Sequence, residues 1–272
     1  MARRVLTLVE RIKKNIALPE MKILPGQLAF FFILTIIPLV AIIFSIASNL
    51  HISKGFINSL IETQFPDTIV SFIKFLSVNE GAELNKLVFF VSALILASNG
   101  TNSMITASNQ IYKIKSNGYI YDRIKALFML VILVMLILFI IAVPVCGDYL
   151  MKGLSALLNT DTFDTYIYSI YKVLNLPISW FFIFFSIKLL YTLAPDQKLP
   201  SRKVNYGALF TSFSWVIFTK LFSIYVSTFG RYTTIYGGIS SLLVLMLWIY
   251  ILAYLFVLGM VLNVSKYEEK KE

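Results

Sequence analysis

Six long apolar stretches separated by polar and charged segments set the pattern of this chain. Each reaches the roughly 20 residues that a helix needs to cross the hydrocarbon core of a bilayer. The pattern predicts spans over about 27–50, 84–106, 126–150, 171–194, 205–229 and 237–263. The second helix is expected to run on to Tyr112, and Pro195 to stop the fourth. In residues 1–26, Val5, Leu8/Val9, Ile12 and Ile16 recur at helical spacing among basic residues. That suits an amphipathic helix on a membrane surface, although a plain basic leader reads equally well. The apolar run that follows is too long for the core of a signal peptide. Residues 51–85 form a loop in which Phe56, Leu60/Ile61, Ile69, Phe72/Ile73 and Leu76 predict two short amphipathic helices split at Pro66. Residues 151–170 form a second polar loop. The expected organisation is a cytoplasmic N-terminal segment (1–26), a six-helix transmembrane domain (27–263) and a charged tail (264–272), all α-helical.

Polar residues inside the apolar stretches are the informative exceptions. In hydrocarbon no water can satisfy them, so each needs a protein partner or a wet cavity. The second stretch contains Ser98-Asn99-Gly100-Thr101-Asn102-Ser103. At helical spacing Ser92, Asn99, Asn102/Ser103, Thr106 and Asn109/Gln110 share one face. That stripe is a candidate solute pathway. The competing reading is helix packing, because Ala93, Ala97 and Thr101 make a track of small residues. Lys220 lies just outward of the centre of the fifth span, where a lysine costs roughly 2.5–3.5 kcal/mol. It is expected to face protein or water, and to pair with Asn99 or Asn102 or hold an anionic group. Trp248 and Tyr250 fall near the middle of the last helix and read as core packing or cavity lining. Pro38 and Pro144 are candidate helix bends. The whole pathway set is thus Asn99, Asn102, Ser103, Thr106, Asn109, Gln110, Lys220, Trp248 and Tyr250.

Composition agrees with the pattern. Of 272 residues 58% are hydrophobic and 14% charged, and the mean hydropathy is +0.80, far from a soluble domain. The net charge of +10 would suggest nucleic acid in a soluble protein, but its distribution says otherwise. Sixteen of the 24 Lys and Arg residues sit in the N-terminus, the second and fourth loops and the tail. Lys54, Lys74, Lys86, Lys152, Lys172 and Arg231 occupy the alternate loops. The positive-inside rule then places both termini in the cytoplasm. No internal repeat supports an inverted-repeat transporter. One cysteine, Cys146, excludes an intrachain disulfide.

Catalytic chemistry is not legible. A single histidine, His51, rules out a His-Glu-x-x-His motif, and there is no phosphate-binding Gly-x-x-x-x-Gly-Lys-Ser/Thr loop. A metal nuclease needs converging carboxylates, and the acids of the cytoplasmic side (Glu10, Glu20, Asp122, Asp196 and the tail) are scattered. No catalytic residue, metal site, cofactor or nucleic-acid partner is therefore expected.

Several motifs resemble the YihY/BrkB family of bacterial inner-membrane proteins, once labelled ribonuclease BN-like. They are Gln27-Leu28-Ala29-Phe30-Phe31-Phe32 with Thr35-Ile36-Ile37-Pro38; Ser98, Gly100 and Asn109-Gln110-Ile111-Tyr112; Tyr191-Thr192-Leu193-Ala194-Pro195-Asp196 with Gly207-Ala208; and Tyr236-Gly237-Gly238-Ile239, Leu247-Trp248-Ile249-Tyr250, Leu258-Gly259 and Asn263. Where such proteins commonly carry Gly-Ala-Glu, this chain has Gly259-Met260-Val261, so a proton or cation carried there elsewhere is not carried here. The resemblance implies a six-helix inner-membrane protein. The expected function is transport or export of a small organic or amphiphilic solute through a polar-lined cavity. The alternative is a structural, envelope-integrity role without transport; a ribonuclease is disfavoured. Membrane lipids, an unidentified solute and a second copy of the chain are the expected partners.

Overall fold

The computed structural model describes residues 17, 19–49, 86–137, 161–197, 199–228 and 239–269. Six helices run through them: α1 (Pro19–Asn49), α2 (Lys86–Ile111), α3 (119–137), α4 (Asp161–Leu193), α5 (Asn205–Thr228) and α6 (Ile239–Glu269). A 3-10 turn, Ser201–Lys203, joins α4 to α5. The amphipathic pattern of residues 5–16, the two helices expected around Pro66, and Pro144 lie outside the described residues.

Helix bounds depart from the expected ones in a consistent way. Helix α1 starts at Pro19, not near Gln27, and contains Pro25 as well as Pro38. Met21 and Leu24 are core residues, so 19–26 belong to the first helix and not to a separate surface segment. Helix α3 begins at 119, α4 begins within the expected loop 151–170, and α6 runs into the expected tail. Apolar windows mark only the apolar part of each helix. Helical hydrogen bonds continue into water, where polar side chains are welcome, so the helices outlast the windows.

The α2–α3 hairpin is closed by backbone chemistry. Ile114 N–H donates to Asn109 O at 2.8 Å and Lys113 N–H to Gln110 O at 3.2 Å, the paired bonds that satisfy the last carbonyls of a helix. Lys113 takes the left-handed conformation (φ 54°) that this cap demands and glycine usually supplies. Gly118, at φ 112°, then turns the chain into α3. Ser116 Oγ donates to Asp122 Oδ2 at 2.7 Å and accepts from Gly118 N–H at 3.0 Å.

Helix α1 packs on α2 and α6, α6 also on α5, and α5 on α4. Close approaches occur at small residues. Thr35 Oγ1 donates to Ala97 O at 3.2 Å beside Gly100, where a Cβ would come within 2.6 Å of the same hydroxyl. Thr101 Oγ1 donates to Ala126 O at 2.7 Å, which sets the level of α3 against α2. Ala93 and Ala97 form a small cluster with Leu130 and Val134 of α3. The track of small residues is a packing seam.

The distribution of residue types is inverted relative to a water-soluble bundle. Ser98, Thr101, Ser103, Ser108, Asn109, Thr211, Ser212 and Asn263 are buried, while Phe30, Phe128, Phe181, Phe213, Leu221 and Ile224 are exposed. Among the described residues, Asn205–Val226 and Leu242–Val264 are long and apolar enough to cross a membrane, with mean hydropathies of 1.5 and 2.6. Met21–Ile36 and Pro177–Leu193 are shorter apolar segments.

Candidate functional site

The polar stripe of α2 does not act as one unit. At its loop end Asn109 is buried and Gln110 exposed. Thr106, half-buried, returns its hydroxyl to Asn102 O of its own helix at 3.1 Å. Ser103 is buried, whereas Asn99 and Asn102 are only half-buried. Ser92, at the far end, is exposed.

Asn99 is engaged by Arg123, a residue the sequence reading left in a loop. The Arg123 guanidinium donates from Nη1 to Asn99 Oδ1 at 2.7 Å and from Nη2 to Ile95 O at 2.9 Å. Because α3 begins at 119, Arg123 stands on its second turn, beside the middle of α2. Tyr119, Ile120 and Ile124, apolar at helical spacing ahead of Ala126, were the available sign that the helix starts earlier. The amide of Asn102 makes no hydrogen bond among the described residues.

Asn109 belongs to a second assembly that ties together α2, α3 and the end of α4. Its Nδ2 donates to Asp196 Oδ2 at 2.7 Å, and its Oδ1 accepts from Asp196 N–H at 2.9 Å. Asn117 N–H donates to the same Oδ2 at 3.3 Å. Lys125 Nζ lies 2.7 Å from Asp196 Oδ1, with the two side chains 15% and 1% exposed. The same ammonium donates to Ala194 O and Pro195 O, each at 2.8 Å, and so satisfies carbonyls at the end of α4. Burial alone would raise the Asp196 carboxyl. The hydrogen bonds from Lys125, Asn109 and Asn117 and the Lys125 charge overcome it and hold the group below its ordinary 3.8. Sequence reading counted Asp196 among the scattered acids; its partner Asn109 is 87 residues away.

A third polar assembly sits between α4, α5 and α6. Tyr191 donates its hydroxyl to Phe256 O at 2.6 Å and lies 2.8 Å from Thr211 Oγ1. Its ring packs on Phe256 with centroids 4.7 Å apart. Trp215 Nε1 donates to Leu252 O at 2.9 Å. Gly207 N–H donates to Asn263 Oδ1 at 2.7 Å, and Gly207 and Gly259 bring α5 and α6 into backbone contact. Tyr112, just past α2, sits by Asn263; burial pushes its phenol up to about 12, the Asn263 side chain partly opposing. Residues of motifs from four separate stretches thus meet at one end of the bundle.

The remaining candidates are spread apart. Lys220 is exposed, on an outward row of α5 with Phe213, Ile217, Leu221 and Ile224. The expected pairing with Asn99 or Asn102 is corrected: Asn99 bonds to Arg123, and α5 packs on α4 and α6, away from the α1–α2 seam. Trp248 is half-buried at the edge of the core, Tyr250 is exposed and not core, and Pro38 is buried. Among the described residues no three His, Cys, Asp or Glu side chains gather as metal ligands would.

The family described as Virulence factor BrkB matches residues 20–272. The chain belongs to the BrkB family. Its relatives in this family include "Putative ribonuclease-like protein YfkH" of Bacillus subtilis, 30% identical over 252 residues and 90% of each chain. A UPF0761 membrane protein of Mannheimia succiniciproducens is 28% identical over 86% of this chain and 79% of its own. One of Haemophilus influenzae is 26% identical over 83% of this chain and 82% of its own. No solved structure matches the chain significantly. The BrkB motifs read from the sequence include Asn109, Tyr112, Tyr191, Asp196, Gly207, Gly259 and Asn263, which the fold assembles in the last two polar clusters.

Proposed function

We propose that this BrkB-family chain is a six-span protein of the bacterial cytoplasmic membrane, with both termini in the cytoplasm, that moves a small organic or amphiphilic solute along the polar face of α2. The charge asymmetry of the loops and the apolar exterior support the topology. One observation carries the transport reading. Asn99 and Asn102 stand mid-helix and half-buried; Asn99 spends its carbonyl oxygen on Arg123, and the Asn102 amide makes no hydrogen bond among the described residues. Polar and charged groups inside a membrane bundle are expensive; they pair with one another or with backbone carbonyls, or face a water-filled cavity, and they mark solute pathways.

A structural role without transport is the second reading. It is favoured by Thr35, Thr101 and Asn109, whose polar groups are all engaged in contacts between helices. We do not extend the ribonuclease-like name of the Bacillus subtilis relative to this chain. Asp196 is engaged by Lys125 on one carboxylate oxygen and by Asn109 and the Asn117 backbone on the other.

The test is accessibility, in a Cys146→Ala background. Asn102→Cys and Gln110→Cys should react with a small charged thiol reagent in folded protein, and Ile105→Cys, fully buried, should not. If Asn102→Cys is as unreactive as Ile105→Cys, the face is closed and the structural reading stands. Purified protein in vesicles, screened for solute uptake, supplies the functional arm.

A further inference from the structure

The geometry points to an oxyanion site at Arg123: a phosphate or carboxylate group held between α2 and α3 by the Arg123 guanidinium with the amides of Asn99 and Asn102. The inference rests on the transport reading for its biological use, but not for its chemistry.

The first argument is direction. The Thr101 hydroxyl bonded to Ala126 O aligns the two antiparallel helices. At about 1.5 Å rise per residue, Asn99 lies about 3 Å beyond that level and the Arg123 backbone about 4.5 Å short of it. The guanidinium that bonds Asn99 Oδ1 has therefore been carried about 7.5 Å away from the 112–118 loop relative to its own backbone. Side chains on a helix tilt towards its N-terminus, which for α3 is the loop and its water. A long basic side chain so placed ordinarily snorkels to the aqueous end. Arg123 turns the other way, to the middle of α2.

The second argument is unspent chemistry. A guanidinium is always charged and carries five N–H donors. Two are used, on Asn99 Oδ1 and on Ile95 O, and the second of these carbonyls also accepts from Ser98 Oγ at 2.7 Å. Both acceptors are neutral, and among the described residues no carboxylate pairs with Arg123; Asp196, the buried acid, is paired with Lys125. Three donors remain. Asn102, one turn from Asn99 on the same face, adds an amide uncommitted among the described residues. Several donors and one fixed positive charge, bonded to no carboxylate among the described residues, suit an oxyanion, which a guanidinium binds through paired parallel bonds.

The third argument is where the site opens. Ile95, whose carbonyl Arg123 holds, and Ile124, the next residue on α3, are both exposed. A charged head at Arg123 would thus have apolar side chains beside it, as an amphiphile's tail requires. A lipid headgroup and a free organic phosphate share the recognising chemistry, and the experiment separates them.

Full-length protein in detergent is titrated with inorganic phosphate against chloride at equal ionic strength. In parallel it is placed in nanodiscs of phosphatidylcholine with or without phosphatidylglycerol. Thermal unfolding is followed in each. The wild type should be stabilised by phosphate, by phosphatidylglycerol, or by both; a response to the lipid alone identifies an amphiphile. Asn102→Ala, which removes no bond among the described residues, should fold and bind more weakly. Arg123→Gln should lose at least about tenfold in affinity, the scale of one charged hydrogen bond. Arg123→Lys, keeping charge without the planar fork, should fall between. No stabilisation of the wild type by either probe overturns the proposal, as does undiminished binding in Arg123→Gln. Vesicle uptake is scored separately: binding without uptake keeps the site and removes the transporter, and uptake unaffected by Arg123→Gln keeps the transporter and takes the site off its path.

Discussion

Asp196→Ala should lower the stability of the folded protein by about 3–5 kcal/mol, the cost of removing one member of a buried, hydrogen-bonded ion pair. The carboxylate is 1% exposed and accepts from Lys125, Asn109 and the Asn117 backbone. Its loss leaves the Lys125 ammonium with neutral carbonyls only and the Asn109 amide without its acceptor. The hinge between α2, α3 and the end of α4 should loosen together, read as a fall in melting temperature and in monodisperse yield. The pH dependence follows from the direction of the shift. A carboxyl held below its ordinary 3.8 in the folded state stabilises fully above the unfolded value, and that contribution disappears as pH falls through the lower folded value. The wild type should therefore lose stability below about pH 4, and Asp196→Asn, already weaker at neutral pH, should show a shallower acid loss. An acid profile identical in the two proteins would contradict this account.

The same substitution at two glycines should have opposite signs. Gly207→Ala drives a Cβ into the Gly259 carbonyl, a backbone atom that cannot swing aside. Helices α5 and α6 must then separate, straining the Gly207–Asn263 hydrogen bond and the Tyr191 contacts beside it. Overpacking of this kind costs about 1–3 kcal/mol, and Gly207→Leu should prevent assembly altogether. Gly26 lies within α1 with nothing among the described residues within 4 Å of an added Cβ. There the gain in helix propensity should win, and Gly26→Ala should stabilise by about 0.5–1 kcal/mol. Thermal unfolding of the two variants, side by side, checks both signs. Equal effects would mean that the α5–α6 contact is not close.

The sequence by itself determined the helical class and the family. Length and hydropathy suffice for the first, because apolar runs of about 20 residues suit helices in a membrane whatever their neighbours. The start of α5 at Asn205 was readable since Pro200 and basic residues precede it. The exceptional polarity of α2 was readable for the same reason: it contradicts its apolar surroundings.

What the tertiary structure decided is which polar group meets which. Periodicity records the residues that share a face of one helix; it is silent on the helix opposite. The stripe from Asn99 to Gln110 looked continuous, yet its ends answer to different partners, Arg123 on α3 and Asp196 beyond α4. Lys220 looked like the deep cation, but the pairing order of the helices turns it outward, while Arg123, assigned to a loop because the apolar window began later, reaches inward. Gly207 and Gly259, distant in the chain, matter because their backbones touch. A side chain's partner is set by helix packing, a property of the assembled chain that no single segment's composition carries.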